Sequence, residues 1–137
     1  MSTPMPREDG ERPLSEARLM EIVFPHHTNH LGTLFGGQGL ALMDKAAFIA
    51  ASRLARRTVV TARSERVNFL SPIRQGDLVE VVARVTRIGR SSMQVDVELI
   101  AESIHSGERR LCTTGRFHMI ALDGQGRPTP VITEDRG

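Results

Sequence analysis

A chain of 137 residues suits one domain around one core, and 39% hydrophobic with 25% charged residues marks a folded protein rather than a disordered tail. The formal net charge is +2 and Lys45 is the only lysine, so the cationic side chains are arginines, which favour phosphate and carboxylate ligands. Basic residues form no continuous stripe and tryptophan and tyrosine are absent, which argues against nucleic acid. The single cysteine, Cys112, excludes an internal disulfide and a cysteine-built zinc centre.

Residues 1–13 are rich in Pro, Arg, Glu and Gly and read as a flexible segment without the apolar core of a signal peptide. No apolar run approaches the ~18 residues of a membrane span, so a cytoplasmic location without membrane attachment is expected. Glu16 to Phe24 suits a first strand, stopped by Pro25. A loop, "PHHTNHLGTLF", follows. From Gly37 to Arg56, Leu40, Met43, Ala47, Ala50, Ala51 and Leu54 recur at spacings of three and four, which predicts an amphipathic helix.

Beyond the helix the period changes to two. "TVVTARSERVNFL", "LVEVVARVTRI", "MQVDVELIA" and "RRLCTTGRFHMIAL" read as strands separated by turn sequences at "SPIRQGD", Gly89–Ser92 and "HSGE". Asp123-Gly124 ends the sheet, and the residues from Gln125 onward read as exposed, with a flexible tail over 129–137. The fold class is therefore α+β: one long central helix, wrapped by an antiparallel sheet, in a domain spanning 14–128. A single sheet covering one helix leaves edges to protect, so self-association is expected.

The stretch from Pro25 to Phe48 concentrates the candidate chemistry. His26, His27 and His30 lie in a loop rather than at i, i+4 on a helix, without a nearby acid or cysteine, so no metal site is assigned. Gly32, Gly36 and Gly37 match neither the phosphate-binding loop nor the dinucleotide fingerprint. They do open a helix whose free N–H groups suit a carbonyl oxygen gaining charge. Asp44 neighbours the apolar stripe, and positions three and four residues away supply no cation. Two readings of it stay open: a side chain at the stripe's edge reaching water or another subunit, or a catalytic base or nucleophile. No Gly-x-Ser-x-Gly elbow occurs, and Cys112 sits in a strand pattern as a small apolar residue.

Taken together, "P-x-x-T-N-x-x-G-x-x-F-G-G", the helix with "MD", and "VVTAR…F…P…GD" closely resemble the hotdog-fold acyl-CoA thioesterases of the cytosolic acyl-CoA hydrolase type, across Glu16 to Pro128. The resemblance implies active sites built at a dimer interface, often in trimers of dimers, and hydrolysis of acyl-CoA to free acid and coenzyme A. It implies that Asp44 is the essential acid, as general base or as nucleophile through a mixed anhydride. Asn29 would act from the facing subunit to orient water or thioester, and Gly36 and Gly37 would polarise the thioester carbonyl. By analogy Arg63, Ser64, Gly89, Arg90, Ser91 and Ser92 would meet the coenzyme A phosphates, Arg90 foremost. No cofactor is implied, coenzyme A being part of substrate and product.

His27 stands where family members often carry an acid, which raises a pH dependence between about 5 and 8 shared with His26 and His30. A non-catalytic acyl-CoA sensor is the alternative from another class, although such regulators usually carry a DNA-binding domain for which this chain has no room. A hydratase would need a histidine after the aspartate, and all three loop histidines precede it. Chain-length preference turns on Phe35, Phe48 and Phe69.

Overall fold

Alternation of apolar and polar residues builds most of the molecule. The computed structural model describes residues 13–132, in which β1 (Ser15–Ile22) and a short 3-10 turn (Pro25–His27) precede α1 (Gly36–Ala55). Four strands follow: β2 (Thr58–Phe69), β3 (Leu78–Ile88), β4 (Ser92–Glu102) and β5 (Arg109–Leu122). They form one antiparallel sheet in the order β1-β3-β4-β5-β2. The helix packs against the sheet and touches all five strands. This is the expected α+β hotdog arrangement.

In β4 the side chains of Met93, Val95, Val97, Leu99 and Ala101 are buried while their neighbours are half-exposed. The helix meets that surface with Met43, Ala46, Ala47, Ala50, Ala51 and Ala55, all fully buried. Small side chains here allow helix and sheet to approach closely. Gly115 on β5 completes the fit, because a Cβ there would lie 2.9 Å from the Met43 thioether methyl. The helix ends on Arg56 in the left-handed conformation, its N–H bonded to the Ser52 carbonyl.

Three expectations need correction. The first strand ends at Ile22 rather than Phe24, because the Phe24 carbonyl and N–H are used in the 3-10 turn, bonding the His27 N–H and Nδ1. On the helix, Leu40 and Leu54 are only half-buried and Ala46 lies in the core. Nor does the chain trail into solvent from Gln125. The Asp123 carboxylate accepts from the N–H groups of Gln125 and Arg127 and turns the chain back on itself. Thr129 then bonds to Ala121, Val131 bonds to the Arg90 carbonyl, and Val131 is fully buried. The flexible segments expected at 1–13 and 129–137 otherwise lie outside the described residues, apart from 13 and 129–132.

The sheet has two edges, β1 and β2. β2 is the longer, twelve residues, with Val59 as its one buried side chain and register shifts after Thr61 and Glu65. A long edge of this kind invites pairing with another strand.

Candidate active site

The loop before α1 is held by its own asparagine. Asn29 Oδ1 accepts from the backbone N–H of Leu31 (2.8 Å), the N–H of Thr33 (3.2 Å) and the Thr33 hydroxyl (3.2 Å). The loop is pinned to the segment after β2 by Leu34 N–H to Ile73 O and Gln75 N–H to Gly32 O. With its carbonyl oxygen so occupied, Asn29 has its amide NH2 left, a donor.

Phe35 is the N-terminal flanking residue of α1 and adopts an extended conformation. Its carbonyl takes the Gly39 N–H, so the N–H groups of Gly36, Gly37 and Gln38 are, among the described residues, the unpaired donors of the first turn. All three residues are exposed. A Cβ on Gly37 would meet nothing within 4 Å, and neither Gly36 nor Gly37 has positive φ. No packing among the described residues requires glycine at 37. Close approach by something outside the chain does supply a reason.

Seven residues on from Gly37, close to two full turns, Asp44 lies on the same helix stripe, with Ala41 and Phe48 beside it. Ala41 and Phe48 are exposed and Asp44 is half-buried, so the carboxylate sits at the margin of the buried face. Its partner comes from the sheet: Thr61 Oγ1 lies 2.5 Å from Asp44 Oδ1. One carboxylate oxygen therefore accepts a hydrogen bond, and the other has no hydrogen-bond partner among the described residues. Sequence pattern alone does not single out Thr61. Its one available signal was a hydroxyl at an alternate position of the strand that follows the helix.

Beside the first turn of α1 lies a cavity of about 310 Å3 between the helix and the residues after β2. Leu34, Phe35, Phe69, Leu70, Ile73 and Leu99 give it apolar walls. Gly36 lines it too, with the Phe69 ring 3.7 Å from where a Cβ would stand. Phe35 and Phe69 thus reach the cavity, and Phe48 does not.

The remaining expected residues are spread along the sheet. Arg63 and Ser64 lie exposed on β2, the Arg63 guanidinium 3.6 Å from Glu65. Gly89, Arg90, Ser91 and Ser92 form the β3–β4 turn, closed by Gly89 N–H to Ser92 O. Ser92 pairs with Ile120, which pairs with Val60, so that turn lies at the end of the sheet where β2 begins. Asn29, Gly36 and the cavity lie at the end where β2 finishes. One chain brings Asp44 to Thr61 but leaves these two groups apart.

The histidines have local roles. His27 Nδ1 accepts the Phe24 N–H, and its ring packs 4.0 Å from that of His26. Among the described residues no cluster of three or more His, Cys, Asp or Glu could hold a metal ion, and no helix is long and apolar enough to cross a membrane. Burial pushes the Cys112 thiol above its ordinary range, which disfavours the thiolate a nucleophile needs.

Residues 31–108 match the thioesterase superfamily. An uncharacterized acyl-CoA thioester hydrolase of Bacillus subtilis, YkhA, is 46% identical over 109 residues, 80% of this chain and 63% of the relative, so the chain spans under two thirds of that protein's length. An acyl-CoA hydrolase of Staphylococcus aureus, solved with butyryl coenzyme A, superposes with a TM-score of 0.80 at 36% identity, over 84% of this chain and 70% of its own. Alanine variants of that enzyme at a threonine, an aspartate and an asparagine have also been solved. The separations between those three positions equal those between Thr61, Asp44 and Asn29. A hexameric acyl-CoA thioesterase superposes with a TM-score of 0.82 at 40% identity, over 84% of this chain and 74% of its own.

Proposed function

From the premise that the chain belongs to the thioesterase superfamily, we propose that it hydrolyses acyl-coenzyme A thioesters to a carboxylic acid and coenzyme A, with Asp44 as its essential acid. The observation that carries this reading is the Asp44 carboxylate, tied at one oxygen to Thr61, on the same helix stripe as the open amides of the first turn.

Asp44 takes a proton from the attacking water, or attacks the carbonyl itself and is released by water from a mixed anhydride. The carbonyl oxygen gains charge and is held by the N–H groups of Gly36 and Gly37 at a helix N-terminus. A thiolate leaves readily, so no strong general acid is needed.

These parts require two chains. Gly37 and Asp44 are about 10 Å apart along the helix axis at 1.5 Å per residue, too far to grip one carbonyl group from both sides. Two-fold pairing of the β2 edges brings the end of one β2 beside the start of the other. The Asn29, Gly36 and Gly37 of one protomer then face Asp44 and Thr61 of its partner. The exposed Phe48 and Val60 beside that edge are apolar surface such a partner would cover. Pairing also brings Arg63, Ser64 and the Gly89–Ser92 turn toward the same cleft, where arginines suit coenzyme A phosphates. We extend the assembly to trimers of dimers.

The test is thiol release from a panel of acyl-CoA substrates, with light scattering on the same sample. Turnover by a dimer or larger assembly is expected. Binding of acyl-CoA without turnover would overturn the catalytic reading, and a fully active monomer would overturn the shared site.

A further inference from the structure

The apolar cavity at the start of α1 has one end that matches the proposed chemistry and one that does not. Its mouth is formed by Gly36, whose N–H is among the free donors of the first turn, and by the exposed rings of Phe35 and Phe69. Its floor is formed by Leu99 and Thr113, neighbours on β4 and β5 and both buried. Gly39 forms part of the wall, and a Cβ there would lie 3.2 Å from Leu99 Cδ1 and 3.5 Å from Leu34 Cδ2. Among the described residues no charged side chain lines it. A thioester carbonyl held at Gly36 would therefore have an apolar, uncharged recess, open at its mouth, on one side.

We propose that this cavity receives the acyl chain as a hydrocarbon of medium length, and that Leu99 and Gly39 set the length. The proposal rests on the thioesterase reading. Scale comes from simple comparison: an apolar cavity of about 150 Å3 holds benzene, six carbons, so about 310 Å3 holds about twelve at most. Because the mouth is open, part of that volume belongs to the entrance, and chains of about eight to twelve carbons fill the recess. Shorter chains leave apolar wall in contact with water. Chains of sixteen or more carbons must fold back past Phe69 into solvent.

The experiment is kcat/KM for straight-chain acyl-CoA from two to eighteen carbons, on wild type, Leu99→Ala and Gly39→Ala. Each result is read as a ratio of chain lengths within one preparation, which partial unfolding does not alter. Wild type should peak between eight and twelve carbons and fall about tenfold or more by sixteen, since one methylene in or out of a fitted pocket is worth about tenfold. Leu99→Ala deepens the floor and should move the fourteen-to-eight-carbon ratio up about tenfold. Gly39→Ala adds a methyl to the wall, strengthens the helix, and should move that ratio down. A flat wild-type profile, or ratios unchanged in both Leu99→Ala and Gly39→Ala, would overturn the pocket assignment while leaving hydrolysis intact. No hydrolysis of any chain would instead remove the thioesterase reading itself.

Discussion

The hydroxyl of Thr61 donates to Asp44 across 2.5 Å, joining the strand that follows the helix to the one acid on the exposed helix stripe. Hydrogen bonds to charged groups are worth about 1.5–3 kcal/mol. Thr61→Val should therefore lower kcat about ten- to a hundredfold with little change in KM, the pattern expected of a side chain that acts by positioning the carboxylate. Thr61→Ser should recover most of the rate. Steady-state kinetics on the three proteins check this, and a Thr61→Val enzyme with wild-type kcat would remove the positioning role.

Asn29 offers a cleaner separation of structure from chemistry. Its carbonyl oxygen organises the loop through Leu31 and Thr33, and its amide is free to donate. Asn29→Asp keeps the acceptor and loses the donor, so melting temperature should hold while kcat/KM falls about ten- to a hundredfold. Asn29→Ala should lose both, with about 1–2 kcal/mol of stability. Thermal melts beside kinetics distinguish the cases, and a fully active Asn29→Asp enzyme would show that the donor is unused.

Gly37 has open space where a Cβ would be. Gly37→Ala should leave the melting temperature equal or slightly higher, alanine being the better helix former. It should nonetheless reduce kcat/KM about tenfold or more by obstructing the approach of a thioester. Unchanged turnover in a stable Gly37→Ala protein would separate that amide from the reaction.

On the outer sheet face, the hydrogen bond from Arg109 holds the Glu80 carboxyl below its ordinary 4.5, with Arg18 adding to the effect. A depressed carboxylate stabilises the fold above its unfolded value and ceases to do so as pH falls through the lowered one. Glu80→Gln should thus cost on the order of 1 kcal/mol near neutral pH. The difference should shrink below about pH 4.5 as wild type loses the same contribution. Melting curves of both proteins from pH 3 to 7 test this, and a constant gap across that range would contradict it.

How much of this could be read from residues alone varied with the distance over which each feature is determined. β4 was legible because Met93 to Ala101 alternates without interruption, and α1 because its alanines recur at helical spacing. Asp44 stood out by residue type, since a carboxylate beside an apolar stripe is conspicuous wherever it occurs. Thr61 did not, because its meeting with Asp44 is a tertiary event between elements far apart in sequence. Val131 reads as part of a tail because the turn at Asp123 that returns it to the sheet depends on side-chain hydrogen bonds rather than periodicity. Phe35, Phe48 and Phe69 were equivalent as letters, and only the packing around Gly36 separates the two at the cavity from the one on the helix flank.

Hydrolysis by this chain depends on the open oxygen of the Asp44 carboxylate reaching a thioester carbonyl or its attacking water. The most direct measurement is thiol release from acyl-CoA by wild type and by Asp44→Asn at equal concentration, with circular dichroism confirming that both are folded. Removal of a catalytic base commonly costs ~10²–10⁴ in rate, so kcat should fall several hundredfold or more. A folded Asp44→Asn protein that hydrolyses as fast as wild type would contradict the account.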